Sequence, residues 1–416
     1  MKSLSLRVAL LGMVACAALV GCGLGPVPTV QLITDRPEMT DYVDHFNSLQ
    51  SDVRVEVSYQ EIPYQAVLDG VSADVVVGEY LASPSVMDRL DPLGDLVKPG
   101  KLDPSWFYPG LLAMGSRDNR PMLIPLSFTL PTVVFEKQSV PTDLPPMILP
   151  LDTLQSLGQR YNQVAKNGAL SQVGFSPLWN RDFLTSTALL YGARFRAARN
   201  GSVLWDENGL EKTVDATRQW FQMVNGGGSA DQDFRDRYYQ VQPWYKLLST
   251  GRVLFALESF PSFFALPEDK RRDLDFRWLS IGNAIPVNDD ALFAGILRSS
   301  RNKGRARAFL QWFCNLSEQS GLLDVNQSRR TGVFGVTDGF SSFRSTNSRD
   351  LAQRYPLLLG HIPLENMLVF PDTLADGWQR LRDEVITRWM EQSALGQASE
   401  PLDKAIADWQ QAAKKQ

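Results

Sequence analysis

The chain has 416 residues, 44% of them hydrophobic and 21% charged, which suits two or three packed domains at about 150 residues each and neither a disordered nor a polytopic membrane protein. Its 42 Lys and Arg against 46 Asp and Glu leave −4, too balanced for the basic surface that a phosphate backbone demands, so nucleic acid is disfavoured as a partner. His45 and His361 are the only histidines and lie far apart, too few for a histidine-based metal site, so neither a metal nor a cofactor is expected.

Lys2 and Arg7 precede an apolar stretch, Val8 to Val20, too short to span a bilayer but of the length of a signal-peptide core. The stretch ends in Leu19-Val20-Gly21-Cys22, which resembles the lipobox of bacterial lipoproteins in all four positions. The resemblance implies a signal peptide over residues 1–21, acylation of Cys22, and attachment to a membrane of the cell envelope on its periplasmic or extracellular face. A generic signal peptide with a chance cysteine is the plainer alternative. Cys16 leaves with the leader, so Cys314 alone remains in the folded part and no internal disulfide can form. It lies in the apolar helical run Ala308 to Cys314, where a buried inert thiol is expected.

Residues 22–29, with Gly25, Pro26 and Pro28, read as a tether. Val30 to Thr34 then predicts a buried strand, and Met39, Tyr42, Val43, Phe46 and Leu49 a helix. Val53, Val55, Val57 and Tyr59 alternate as a second strand, and Ala73 to Val77 forms a continuous apolar third. Strands alternating with helices indicate a largely parallel α/β sheet. Pro121 to Pro125, Thr132 to Phe135 and Val173 to Phe175 are further strand-like runs. Gln242 to Thr250 predicts a helix stopped by Gly251, with a strand over Arg252 to Leu257. Ala291 to Leu297 is a strand feeding a helix with Ala306, Phe309, Leu310 and Phe313 on one face; Leu374, Trp378, Leu381, Val385 and Trp389 share the face of another, and Leu402, Ile406 and Trp409 begin the last.

This order of elements, with Phe46-Asn47, Ala73-Asp74-Val75-Val76, Arg120 to Ser127 followed by Val133 to Phe135, Tyr191 to Phe195, and Arg298 to Phe313, resembles the extracellular solute-binding proteins of family 1, the maltose-binding-protein-like receptors of bacterial ABC importers. The resemblance implies an α/β fold of two lobes with a hinge and an interlobe ligand cleft, the periplasmic-binding-protein fold. The N-terminal lobe is expected from residues 30–135 and 290–330, the C-terminal lobe from 136–289 and 331–416. It further implies a small-molecule solute, a sugar or oligosaccharide, and ABC permease subunits as partners of a monomeric receptor. Two departures stand out. Glu258-Ser259-Phe260-Pro261 replaces the family's usual Gly and Trp, which alters the pocket wall, and the short connection from Val57 to Ala73 suggests a trimmed second helix.

Loops at the carboxyl ends of strands carry ligands in open α/β sheets, which selects the candidate binding residues. Asp35 and Arg36 follow the first strand, although Asp35 with Glu38 three residues on also reads as a capping box. Glu79 and Tyr80 follow the third strand, and Ser127 and Phe128 the Ile-Pro turn. Trp179 and Asn180 pair an aromatic face with an amide, as sugar pockets do, against the alternative that Trp179 is core. Trp244, Phe260 and Phe293 are further aromatic candidates, and Glu258 ends a strand where a carboxylate must be solvated, paired or used. Ser300-Arg301-Asn302-Lys303 is a bare Ser-x-x-Lys without its companion motifs and reads as a turn. The chain has no Gly-x-Ser-x-Gly, phosphate-binding loop or His-Glu-x-x-His motif, so binding without catalysis is expected. A surface interaction module without transport, and more remotely a cleft glycosidase with two carboxylates, are the alternatives.

Overall fold

The computed structural model describes residues 28–199, 201–227 and 229–413. The leader, Cys22 and the first part of the tether lie outside them.

The first sheet opens with strand β1 (Thr29–Thr34), whose Val30, Leu32 and Ile33 are buried because it has a parallel partner on each side. Helix α1 (Met39–Leu49) buries Met39, Tyr42, Val43 and Phe46 of the stripe its spacing predicts, while Leu49 at its end is exposed. Strand β2 (Arg54–Tyr59) is an edge and alternates, and β3 (Val75–Gly78) is buried throughout. The link between β2 and β3 holds only the six-residue helix Pro63–Leu68, the trimmed segment its length suggested. Strand β4 (Ile124–Phe128) completes this part of the sheet.

Thr129 and Leu130 carry the chain to a second sheet, built from β5 (Pro131–Glu136), β6 (Ile148–Pro150), β7 (Ala256–Ser259) and β8 (Leu274–Ser280) in the order β7-β5-β8-β6. Helix α2 (Arg181–Tyr191) is laid down between β6 and β7, and α3 (Phe260–Phe264) directly follows β7. The chain returns through Ile285–Pro286, which pairs with Leu368–Val369, to β9 (Leu292–Ile296), helix α4 (Lys303–Phe313) and β10 (Phe340–Ser341). The first sheet therefore runs β10-β4-β9-β3-β1-β2, with β9 antiparallel to both neighbours. The C-terminal segment then crosses again, and its helices dock on the second sheet's side, where Trp378 meets Phe195 at 5.9 Å and Arg218 donates to the Ser393 carbonyl at 3.0 Å.

Strand pairing moves three boundaries. Pro131–Glu136, expected in the N-terminal lobe, belongs to the second sheet, and Phe340–Ser341, expected in the C-terminal lobe, pairs with β4 in the first. The strand expected over Arg252 to Leu257 is shifted to Ala256–Ser259, since Val253 makes only an isolated bridge to Val173. Helix α2 stops at Gly192, whose φ of +88° is the left-handed cap conformation that glycine reaches without strain.

Several smaller readings resolve as packing. Cys314 is fully buried and burial pushes its thiol up, so little thiolate forms. Ser300 donates to Asp74 at 2.6 Å while Lys303 pairs with Asp91 at 2.7 Å, so the Ser-x-x-Lys run ties the start of α4 to the sheet and its two polar groups serve separate partners. Among the described residues, no helix is long and apolar enough to cross a membrane.

Candidate functional site

A cavity of about 170 Å³ opens where both sheets and the crossings meet. The first sheet sends Tyr80, next but one after β3; the second sends Glu258 from β7 with Asn180 and Asp182 from the start of α2. Asn288, Asp289 and Asp290 come from the returning crossing, and Trp378 and Arg382 from the C-terminal segment.

Local structure fixes these side chains. Tyr80 holds a φ of +56°, a left-handed conformation costing a non-glycine residue about 1–2 kcal/mol. The Asn180 side chain caps α2, accepting from the backbone N–H of Asp182 at 2.8 Å and of Phe183 at 3.2 Å, while its amide donates to the Leu257 carbonyl at 3.0 Å. One side chain thus anchors the helix start to β7. Across the crossings, Asn288 donates to Thr129 Oγ1 at 2.8 Å, and the same hydroxyl donates to Asp290 at 2.8 Å. Arg382 donates to Asp289 at 2.5 Å and to Asp383 at 2.8 Å, and Trp378 Nε1 donates to Asp289 at 2.6 Å.

The electrostatics are lopsided. Burial works against the Arg382 charge, but Asp289, Tyr80 and Asp383 outweigh it and hold the guanidinium protonated. Burial pushes Asp182 and Asp290 above the ordinary carboxylate range; the negative charge of Asp289 adds to the effect on both. Glu258 is pushed up to about 7, by burial first and by Asp182 second, against a hydrogen bond from Ser262 at 3.0 Å.

That shift has a stability consequence of definite sign. Between the ordinary range near 4.5 and about 7, the folded state keeps on Glu258 a proton that the unfolded chain has lost, so stability falls as pH rises through this window. Glu258→Gln should therefore raise stability by about 1–3 kcal/mol at pH 7.5 and leave it nearly unchanged at pH 4. Thermal melting of both proteins across that range checks it; parallel curves would show an ordinary, solvated carboxyl.

Of the residues the sequence selected, Tyr80, Asn180 and Glu258 line the cavity. Asp35, Arg36 and Glu79 lie on the first sheet's side, with Arg36 paired to Glu79 and close enough to favour the charged form of Asp290. Asp35 is not a cap: α1 has no side-chain cap, and Asp35 Oδ1 is buried without a hydrogen-bond partner.

The remaining candidates are corrections. Ser127 and Phe128 are buried in β4, the serine bonded to Thr337 at 2.8 Å and the ring stacked on Phe340 at 5.7 Å. Phe293 is buried in the middle strand β9. Phe260 is 0% exposed and packs against Phe334 at 4.6 Å and Phe276 at 5.0 Å. Trp244 packs edge-on to Tyr245 outside the cavity. Trp179 stacks on Phe234 at 5.4 Å with 3° between planes, and its Nε1 donates to the buried Asp231 at 2.8 Å. It does not line the cavity, because the distant helix Ser229–Phe234 supplies the partners for both its face and its N–H.

Sequence reasoning missed Asp182, Asp289, Asp290, Trp378 and Arg382. The Asp289-Asp290 pair next to the apolar run Ala291 to Leu297 was the one visible signal, since adjacent acids beside a buried strand need a reason to be there. Nothing local marked Arg382.

The fold matches that of the two-lobed periplasmic sugar-binding proteins. Among solved structures, it is similar to the sugar-binding protein MalE of Xanthomonas citri (TM-score 0.67, 15% identity, 92% of this chain and 96% of that one). It is likewise similar to an ABC substrate-binding protein of Listeria monocytogenes in complex with cycloalternan (0.64, 13%, 93% and 98%). A third is the cyclic alpha-maltosyl-1,6-maltose binding protein of Arthrobacter globiformis (0.60, 19%, 93% and 98%). No protein-family model and no curated protein matches the chain.

Proposed function

We propose that this protein is a solute-binding receptor of an ABC importer, anchored to the cell envelope through lipid on Cys22, which closes two lobes over a sugar and hands it to permease subunits without bond chemistry. The observation that carries the reading is the cavity itself: Tyr80 from one sheet, Glu258 and Asp182 from the other, and Asp289 and Asp290 from the crossing between them. A solute touching all three favours the closed arrangement through its differential affinity for it. The three similar structures are supporting company, since their titles name a sugar-binding protein, a cycloalternan complex and a cyclic maltosyl-maltose binder. Leu19 to Cys22 supports the anchor.

Two measurements test this. A thermal-shift screen of sugars and polyols should find a ligand that stabilises the protein by about 2.7 kcal/mol at one hundred times its Kd. Cells fed a labelled fatty acid should label the wild type and not Cys22→Ser. No stabilising ligand would sink the receptor reading, and an unlabelled wild type the anchor. A glycosidase reading draws on one observation, a carboxyl raised to about 7 beside Asp182; hydrolysis of an aryl glycoside that Glu258→Gln abolishes would establish it over binding.

A further inference from the structure

The cavity is short of positive charge. Four acids line it, Asp182, Glu258, Asp289 and Asp290, against Arg194 and Arg382. Both arginines are already engaged: Arg194 holds Asp372 through two bonds of 2.9 and 3.0 Å, and Arg382 is shared between Asp289 and Asp383. Among the described residues, no ion pair reaches Asp182, Glu258 or Asp290; Glu258 receives one hydroxyl bond from Ser262 and Asp290 one from Thr129. The imbalance continues on the first sheet's side. There Glu38, 7% exposed, keeps Oε1 without a hydrogen-bond partner, and burial raises its proton affinity, with small additions from Asp338 and Asp35 against the larger opposing effect of Arg36.

Carboxylates confined together with no direct ion pair, and only partly offset by Arg382 and Arg36, repel one another or take up protons, and a neutral ligand would strip their water and leave that cost in place. A ligand with its own positive charge supplies what the walls lack. A bare metal ion is a poor fit, since among the described residues no three of His, Cys, Asp and Glu converge to hold one. Trp378 and Phe195 supply apolar wall, and Tyr80 already presents its ring to a cation, Arg382, at 5.8 Å.

We propose that the solute is an amino sugar, held with its ammonium beside Asp182 and Glu258 and its hydroxyls on Asn180, Asn288 and the remaining carboxylate oxygens. This rests on the receptor reading above and specifies its ligand. Calorimetric titration of the full chain with matched sets, glucosamine, glucose and N-acetylglucosamine, and the galactose equivalents, together with maltotriose, tests it. At least one hexosamine should bind ten-fold or more tightly than its parent sugar and its neutral N-acetyl form. Glu258→Gln and Asp182→Asn, each checked by melting for a folded protein, should each cut that affinity ten-fold or more. A parent sugar, an N-acetyl form or maltotriose binding as tightly as the amine overturns this proposal and leaves the receptor standing. Amine binding that neither variant weakens overturns the placement of the ammonium. Silence from every probe overturns the proposal, and only a silent wider screen of sugars and polyols would take the receptor reading with it.

Discussion

Phe260→Ala should lower stability by about 3–5 kcal/mol while leaving solute affinity unchanged in the protein that remains folded. The ring lies 0% exposed at the start of α3, among Phe334, Phe276 and Trp278 at 4.6, 5.0 and 5.4 Å. Phe276 and Trp278 are in β8 of the second sheet, whereas Phe334 precedes β10 of the first. Truncation would open a cavity at the junction of the two, where neighbours tethered to different sheets cannot both collapse inward. Dispersion contacts are then lost on every side of the void. Urea unfolding followed by tryptophan fluorescence, with solute titration at low urea, checks it. An unchanged midpoint with lost affinity would return Phe260 to the cleft wall that its position after a strand suggested.

Arg382→Met should cost about 3–5 kcal/mol, the usual penalty for orphaning a buried ionic partner. The side chains of Arg382 and Asp289 are 10% and 12% exposed and meet at 2.5 Å. Without the guanidinium, Asp289 keeps only the Trp378 N–H among its side-chain donors, beside Asp182 and Asp290. Replacing both partners removes the stranded charge, so Arg382→Met with Asp289→Asn should be more stable than Arg382→Met alone. A double-mutant cycle of unfolding free energies measures the coupling. Additive losses would mean that the pair is solvated and contributes little, as exposed pairs do.

The two results bear on how the site is held. Arg382 comes from the C-terminal segment, Asp289 from the returning crossing, and Tyr80 from the far side of the cleft, so the cavity depends on charge pairing among segments with no common secondary structure. The same pairing consumes the available arginines and leaves Asp182, Glu258 and Asp290 for the solute. Closure over an amine would then complete the electrostatics of the protein as well as bind the ligand.

The sequence by itself determined the elements whose burial is periodic. Val30 to Thr34, the α1 stripe of Met39, Tyr42, Val43 and Phe46, the apolar β3 and the buried Cys314 were all legible, because a strand or helix repeats its contacts at short spacing and hydrophobicity records them. The two lobes were implied by the family resemblance that the order of those elements carries, whereas the elements alone indicated only an α/β fold. Position after a strand pointed to Tyr80, Asn180 and Glu258, which line the cavity, but it could not say which way a loop turns. Phe260 and Glu258 are two residues apart, and one is core while the other faces the cavity. Trp179 and Asn180 are adjacent, and the indole is taken by Phe234 and Asp231 while the amide caps α2 beside the cavity. Only the tertiary structure decided these, and it alone brought Asp182, Asp289 and Arg382 together from positions up to two hundred residues apart. A charge pair between distant segments leaves no periodic trace in either of them, so the chemistry of the site became visible only once the chain had closed around it.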